Sequence, residues 1–301
     1  MPRLSTLNIK EIERRGQWRN QDPEITGVET NSLRIERGYI FLAKAGNTTN
    51  SHGVHFSNQA FQKGASLIIT DLEGYQFALD KDLNLAFPFL IVQDLVQTLD
   101  FICEIFYSGK PKFVMGITGT NGKTSVANFY QQILNLNKIK VASIGTLGVK
   151  PNRVNLKLNN TTVDAITINK ILANLKKKKI ENVILSASSH GLHQKRLHGI
   201  KFSTSIFTNL SRDHLDYHKN SSNYKNAKSL LFSKHTKKNS IAILNIDNRY
   251  SHFFFQICEK KKLKILDYGK RGKFLKLSNL KKKDDGYEYR IFLKNKIDLN
   301  E

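Results

Sequence analysis

The chain is 301 residues long and 40% hydrophobic, and its 48 Lys and Arg against 25 Asp and Glu give a formal net charge of +23. That length exceeds what one small core fills and predicts about two domains. No apolar run reaches the roughly 18 residues that span a bilayer, Met1-Pro-Arg-Leu-Ser lacks the apolar core of a signal peptide, and Cys103 and Cys258 make no disulfide framework; a cytoplasmic protein without membrane insertion is expected.

Residues 1 to about 30 are polar and predict little. Residues 39–43 read as a buried strand, 46–53 as a turn-rich stretch, and 56–63 as a short helix stopped by Gly64. Two further strands are expected at 66–70 and 87–92. A helical stripe of Leu95, Leu99, Ile102 and Phe106 then leads into a linker at 108–112. The expected first domain is a small α/β unit, residues 1–107.

The second domain, 108–301, opens on a short apolar run that enters Gly119-Thr120-Asn121-Gly122-Lys123-Thr124. The two glycines let backbone N–H groups curl around an anion. Lys123 adds a mobile cation, and Thr124 offers a hydroxyl to magnesium at a helix N-terminus. The strict G-x-x-x-x-G-K-[ST] form is not met, because Ile117 stands where its first glycine would be. The bland alternative is a plain strand–turn–helix corner; Gly-Lys-Thr in that setting favours a phosphate loop. In the helix that follows, Val126, Phe129, Tyr130, Ile133 and Leu134 share one apolar face. Strands are expected at 140–144, 182–187, 203–207 and 241–245, with helices at 164–175 and 223–232 between them. This alternation predicts a mainly parallel, doubly wound sheet with ligands at its carboxyl ends. The tail after Tyr268 is basic and weakly patterned, with no obvious closing element.

The lysines are scattered or sit in short runs at 176–179, 260–262 and 281–283, each beside an apolar segment, and read as solvated element ends. No aromatic–basic module accompanies them. No nucleic-acid partner is expected, and the basic surface would instead gather small anions.

Four downstream segments carry polar groups. Thr161 and Thr162 precede a helix and either cap it or bind a polar ligand. In the Ser186–Arg196 stretch, Ser188, His190, Gln194 and Arg196 follow a strand and could grip an anionic, hydroxyl-rich substrate; the alternative is an ordinary polar loop. His214, with Asp213 and Asp216 nearby, is a possible metal ligand, for a metal shared with nucleotide phosphates. Tyr224 and Lys228 share a helix face, where such a lysine is ordinarily a solvated charge.

Together and in this order, these segments resemble the Mur ligases, over about residues 27–247. Within that family the Ser-Ser-His-Gly-Leu and Thr-Asn-Leu-Ser-Arg-Asp-His-Leu-Asp-Tyr-His stretches are most similar to the MurE type. The resemblance implies an ATP-dependent ligase of peptidoglycan synthesis, using Mg2+. It would activate UDP-MurNAc-L-Ala-D-Glu as an acyl phosphate for attack by meso-diaminopimelate or L-lysine. It places the ATP phosphates on Gly119 to Thr124, with Asn245 on the nucleotide side. Thr161, Thr162, Ser188, Gln194 and Arg196 would bind the UDP-muramoyl dipeptide, and Ser32 would sit at the uridine end. Thr124, His214 and a carbamylated Lys228 would organise metal, making Lys123, His214 and Lys228 the catalytic set. A monomer is expected. Two departures stand out: Ser186 occupies a position that is usually a glutamate, and Asn31-Ser-Leu33 replaces Asp-Ser-Arg. The length also implies that the family's C-terminal domain is absent, so that the fragment alone would be inactive. The alternatives are a folylpolyglutamate- or cyanophycin-type ligase, or an impaired nucleotide-binding remnant.

Overall fold

The computed structural model describes residues 1–46, 51–83, 86–151, 163–293 and 297–300. These form two compact units, Met1–Ser108 and Gly109–Glu301.

The first unit holds strands β1 (Glu11–Arg15), β2 (Gly27–Glu29), β3 (Tyr39–Leu42), β4 (Leu67–Thr70) and β5 (Phe89–Val92), and helices α1 (Ser57–Gln62), α2 (Leu72–Asp80) and α3 (Leu95–Phe106). The sheet order is β1-β5-β4-β3-β2. β2 to β5 are parallel, and β1 closes the edge antiparallel to β5. β4 and β5 are buried along their whole length, which is why they read as continuous apolar runs. Asp71 and Asp94 start α2 and α3 by accepting hydrogen bonds from first-turn N–H groups. The polar N-terminal stretch, which predicts little, supplies both edge strands. β1 is exposed at all five positions and shows no alternation to read.

The second unit holds β6 (Phe113–Thr118), β7 (Val141–Gly145), β8 (Gly148–Lys150), β9 (Asn182–Ser186), β10 (Phe202–Phe207), β11 (Thr236–Asn245), β12 (Lys264–Gly269), β13 (Leu275–Lys283), β14 (Gly286–Leu293) and β15 (Ile297–Asn300). Its helices are α4 (Lys123–Leu136), α5 (Ala165–Lys177), α6 (Ser189–His193), α7 (Leu215–His218), α8 (Ser221–Leu230) and α9 (Ser251–Lys260). Strand order is β15-β14-β13-β12-β11-β10-β6-β9-β7-β8. The run from β7 to β13 is parallel, and β8, β14 and β15 are antiparallel additions. β6 therefore lies between β9 and β10, with the carboxyl ends of all three together. Among the described residues, no helix is long and apolar enough to cross a membrane.

Two expectations need correction. The tail after Tyr268 is folded: β13 to β15 extend the sheet, and half-buried Leu275 and Leu277 flank exposed Lys276. The apolar face expected on α4 is also split. Ala127 is its one buried residue, Val126 and Tyr130 pack with it against Ile117, Ile184 and Ile206, and Phe129 and Ile133 are 62% and 58% exposed. The small alanine allows close approach to the strands, so the inward face centres on it and not on the larger residues.

Candidate active site

The loop after β6 is held open by the segment after β10. Thr208 N donates to Thr118 O (3.1 Å) and Thr120 N to Asn209 O (2.9 Å). Asn121 N donates to Asn209 Oδ1 (3.0 Å), and Asn121 O accepts from Thr208 Oγ1 (2.7 Å) and Asn209 Nδ2 (3.2 Å). A Cβ at Gly119 would collide with Thr208 Oγ1, and Gly122 sits at φ +84°, a conformation that glycine adopts without strain. Gly122 is the N-cap of α4 and supplies no side-chain cap, so the first-turn N–H groups of a 14-residue helix are free for an anion.

Two ammonium groups meet at this loop. Lys123 Nζ donates to Gly119 O and Thr120 O, both at 2.8 Å, and Lys228 Nζ donates to the same Gly119 O at 2.8 Å. Lys228 is 1% exposed. Burial, then repulsion from Lys123, pushes it down to about 7, while Asp213 pulls the other way. Burial also lowers Lys123, again opposed by Asp213. Both cations thus lack a full counter-charge. Tyr224 ties the loop to Lys228: its hydroxyl is 3.1 Å from Thr120 Oγ1, and Lys228 Nζ lies 4.4 Å from its ring centroid. Thr120 Oγ1 in turn accepts from Ser211 N.

His214 holds a left-handed conformation at the start of α7, where its backbone N–H donates to Asp213 Oδ1. Its ring meets that of His190 edge-on at 4.9 Å, and burial and His214 together lower His190. Ser188 is the N-cap of α6, accepting from Gly191 N (3.0 Å), and Gln194 ends that helix. Arg196 follows in the same turn structure, its N–H on Gly191 O. Asn245 closes β11 and binds Thr208 O through Nδ2 at 2.8 Å, so it touches the segment that shapes the loop. Ser32 lies in the first unit, buried, with Oγ on Gln59 Oε1 at 2.6 Å. Thr161 and Thr162 lie outside the described residues. Sequence reasoning assigned no role to Thr208, Asn209 or Tyr224; their positions after a parallel strand, or on the Lys228 face, were the available signals.

The donors here suit a phosphate chain: free helix N–H groups, two cations and a glycine cradle. For magnesium the fit is narrower. A small cavity beside the loop is lined by Thr124, Ser143, Thr146, Lys150 and Ser186, among others, and by no carboxylate among the described residues. No group of three or more His, Cys, Asp or Glu suited to a metal occurs among the described residues. A hard cation would depend on phosphate oxygens for most of its ligands.

A profile of the Mur ligase middle domain matches residues 117–300. The chain belongs to the Mur ligase family. Its similarity extends into the first unit. UDP-N-acetylmuramoyl-L-alanyl-D-glutamate–2,6-diaminopimelate ligase of Rickettsia montanensis is 38% identical over 256 residues, covering 84% of this Mur ligase chain and 51% of that protein. A solved structure of an enzyme with the same name superposes with a TM-score of 0.76 at 25% identity, over 96% of this chain and 57% of that one. The MurF ligase of Thermotoga maritima, solved in complex with ADP, shares the fold with a TM-score of 0.53 at 17% identity, over 91% of this chain and 57% of that one. This Mur ligase chain spans about half the length of the curated relatives it matches.

Proposed function

We propose that the chain provides the nucleotide- and UDP-substrate-binding parts of an ATP-dependent, amide-forming ligase of cytoplasmic peptidoglycan synthesis. In this reading the D-Glu carboxylate of UDP-MurNAc-L-Ala-D-Glu takes the γ-phosphoryl group of ATP, releasing ADP. The amine of meso-diaminopimelate, or of L-lysine, then displaces phosphate to form the amide. The observation that carries the reading is the convergence of Lys123 and Lys228 on Gly119 O inside a glycine cradle. Two under-compensated cations at a loop with free helix N–H groups favour a polyanion.

Lys123 would swing from the Gly119 and Thr120 carbonyls to the phosphates and screen the approach of one anion to another. Tyr224 and Thr208 would hold the loop while it does so. Thr124, His214 and carbamylated Lys228 would hold Mg2+, which supplies charge neutralisation between carboxylate and phosphates. Lys228 is poised for that modification: with its proton affinity near neutrality, the amine is available to bond CO2 and release a proton, turning a cation into an anion. Ser188, Gln194 and Arg196 would grip the muramoyl dipeptide, joined by Thr161 and Thr162. Ser32 would mark the uridine end.

Calorimetry on the 301-residue chain tests this. ATP binding is expected, with a loss of tenfold or more (about 1.4 kcal/mol) in Lys123→Ala; equal affinity in the two proteins refutes the reading. Among the described residues no carboxylate lines the cavity at Ser186, which favours a second reading, a nucleotide-binding chain with a weak metal site. There, Ser186→Glu strengthens the magnesium dependence of ATP binding, and an unchanged dependence rejects it.

A further inference from the structure

α8 has a second face that borders open space. Tyr224 and Lys228 point to the loop, whereas Asn223, Asn226 and Leu230, at i, i+3 and i+7, border a separate open cavity of about 470 Å³. Its remaining walls include His193, Tyr217, His218 and Lys219.

Several polar groups around this cavity are unused. His218 is 3% exposed, and its Nε2 is buried with no hydrogen-bond partner. Buried polar atoms without partners are rare and call for an explanation. Lys219 makes no ion pair among the described residues, and the side-chain amides of Asn223 and Asn226 make no hydrogen bond among them. Tyr217 and His193 are joined, hydroxyl to Nδ1 at 3.0 Å, and their rings stand edge to face at 5.6 Å, giving an aromatic corner. Among the described residues no carboxylate lines the cavity.

The exposed groups are mainly donors: an ammonium and two carboxamide N–H₂ groups. A donor-lined site with one fixed cation and no acid selects an anion with several acceptor oxygens. The volume falls within the range of small-molecule sites, roughly 300–1,000 Å³, and exceeds the needs of a bare inorganic ion. We propose that the cavity binds a small organic anion, its carboxylate or phosphate oxygens held by Lys219, Asn223 and Asn226 and its carbon skeleton lying in the Tyr217–His193 corner, beside His218. The site is distinct from the loop, yet the His218 ring packs on Tyr224 at 5.3 Å, so the two are separated by one side chain. The proposal does not rest on the ligase reading.

Histidine-labelled protein observed by ¹H–¹³C NMR tests it, with succinate and glycerol 2-phosphate as probes and sodium chloride at matched ionic strength as control. Saturable shifts of the His218 and His193 signals with either probe are expected; succinate alone identifies carboxylate, and glycerol 2-phosphate alone identifies phosphate. Lys219→Glu and the double variant Asn223→Ala/Asn226→Ala alter exposed side chains. Each should weaken probe binding at least tenfold while leaving ATP affinity, the check on folding, unchanged. Shifts that chloride reproduces, no saturation with either probe, or full probe binding by Lys219→Glu each overturn the proposal.

Discussion

Two lysines share one carbonyl oxygen, and the residues around them decide what that costs. Lys228, down at about 7 through burial and then Lys123, gains neutral amine as pH rises through neutrality. Carbamate formation on ¹³CO2 at fixed pressure should therefore rise with pH across that point and vanish in Lys228→Ala; a ¹³C carbamate signal surviving in that variant would assign it elsewhere. Tyr224 bridges Thr120 and Lys228 through its hydroxyl and its ring. Removing only the hydroxyl, in Tyr224→Phe, should cost about 1 kcal/mol of loop order and weaken ATP binding roughly five-fold by calorimetry, with the lysine still over the ring. Lys123, Thr124 and the two glycines were legible because their spacing is local: six consecutive residues contain the whole device. Thr208, Asn209 and Tyr224 were not, since their work depends on the end of β10 and on α8 coming to lie beside the loop after β6, across contacts 87 to 104 residues apart in the chain. No pattern within one segment announces such a pairing.

At the level of elements, burial decided what could be read. β3, β4, β5 and β9 are apolar runs buried almost throughout and were visible as strands. β1, wholly exposed, and the lysine-rich β13 were hidden by the same rule, because ladder hydrogen bonds to a neighbour hold them without an apolar face. α4 shows the opposite fault, where periodicity exposed an amphipathic helix but misjudged which face turns inward. The segment after α8 adds a pH response. It is a π-helical turn, Leu231–His235, and His235 is 6% exposed with Nδ1 donating to Ile200 O at 3.3 Å. Burial pushes His235 down to about 4. Between pH 4 and 6.5 the unfolded chain holds a proton here that the folded chain refuses, so stability falls as pH drops through that window. The limiting slope is about 1.4 kcal/mol per pH unit. Urea melts from pH 7 to pH 4 should show it, and His235→Gln should reduce it, leaving the share of His218, which burial also pushes down to about 4; an unchanged slope in that variant means another group is responsible.

Across the whole molecule, an excess of 23 positive charges acts on anything anionic that approaches. The lysine runs sit at element ends: Lys176 and Lys177 in the last turn of α5, Lys260 in that of α9, and Lys281 to Lys283 closing β13. There the helix dipole welcomes the cations of α5 and α9, and solvent access leaves the charge free to attract. Raising ionic strength from low to physiological, where the screening length is about 8 Å, should slow ATP association on the order of tenfold with little change in dissociation. Stopped-flow traces with a fluorescent ATP analogue separate the two rates, and a salt-independent association rate would remove steering as a role for this charge. The placement of β6 has one more consequence, which concerns how the protein is made. Gly119 waits for a hydrogen bond from a residue 109 positions later, and β6 pairs first with β9 and then with β10. During translation the glycine-rich segment leaves the ribosome long before either neighbour exists. A nascent chain halted between residues 187 and 202 would carry β6 with one partner and one bare edge, open to pairing with another chain. Premature termination there yields an aggregation-prone intermediate and not merely a weaker binder.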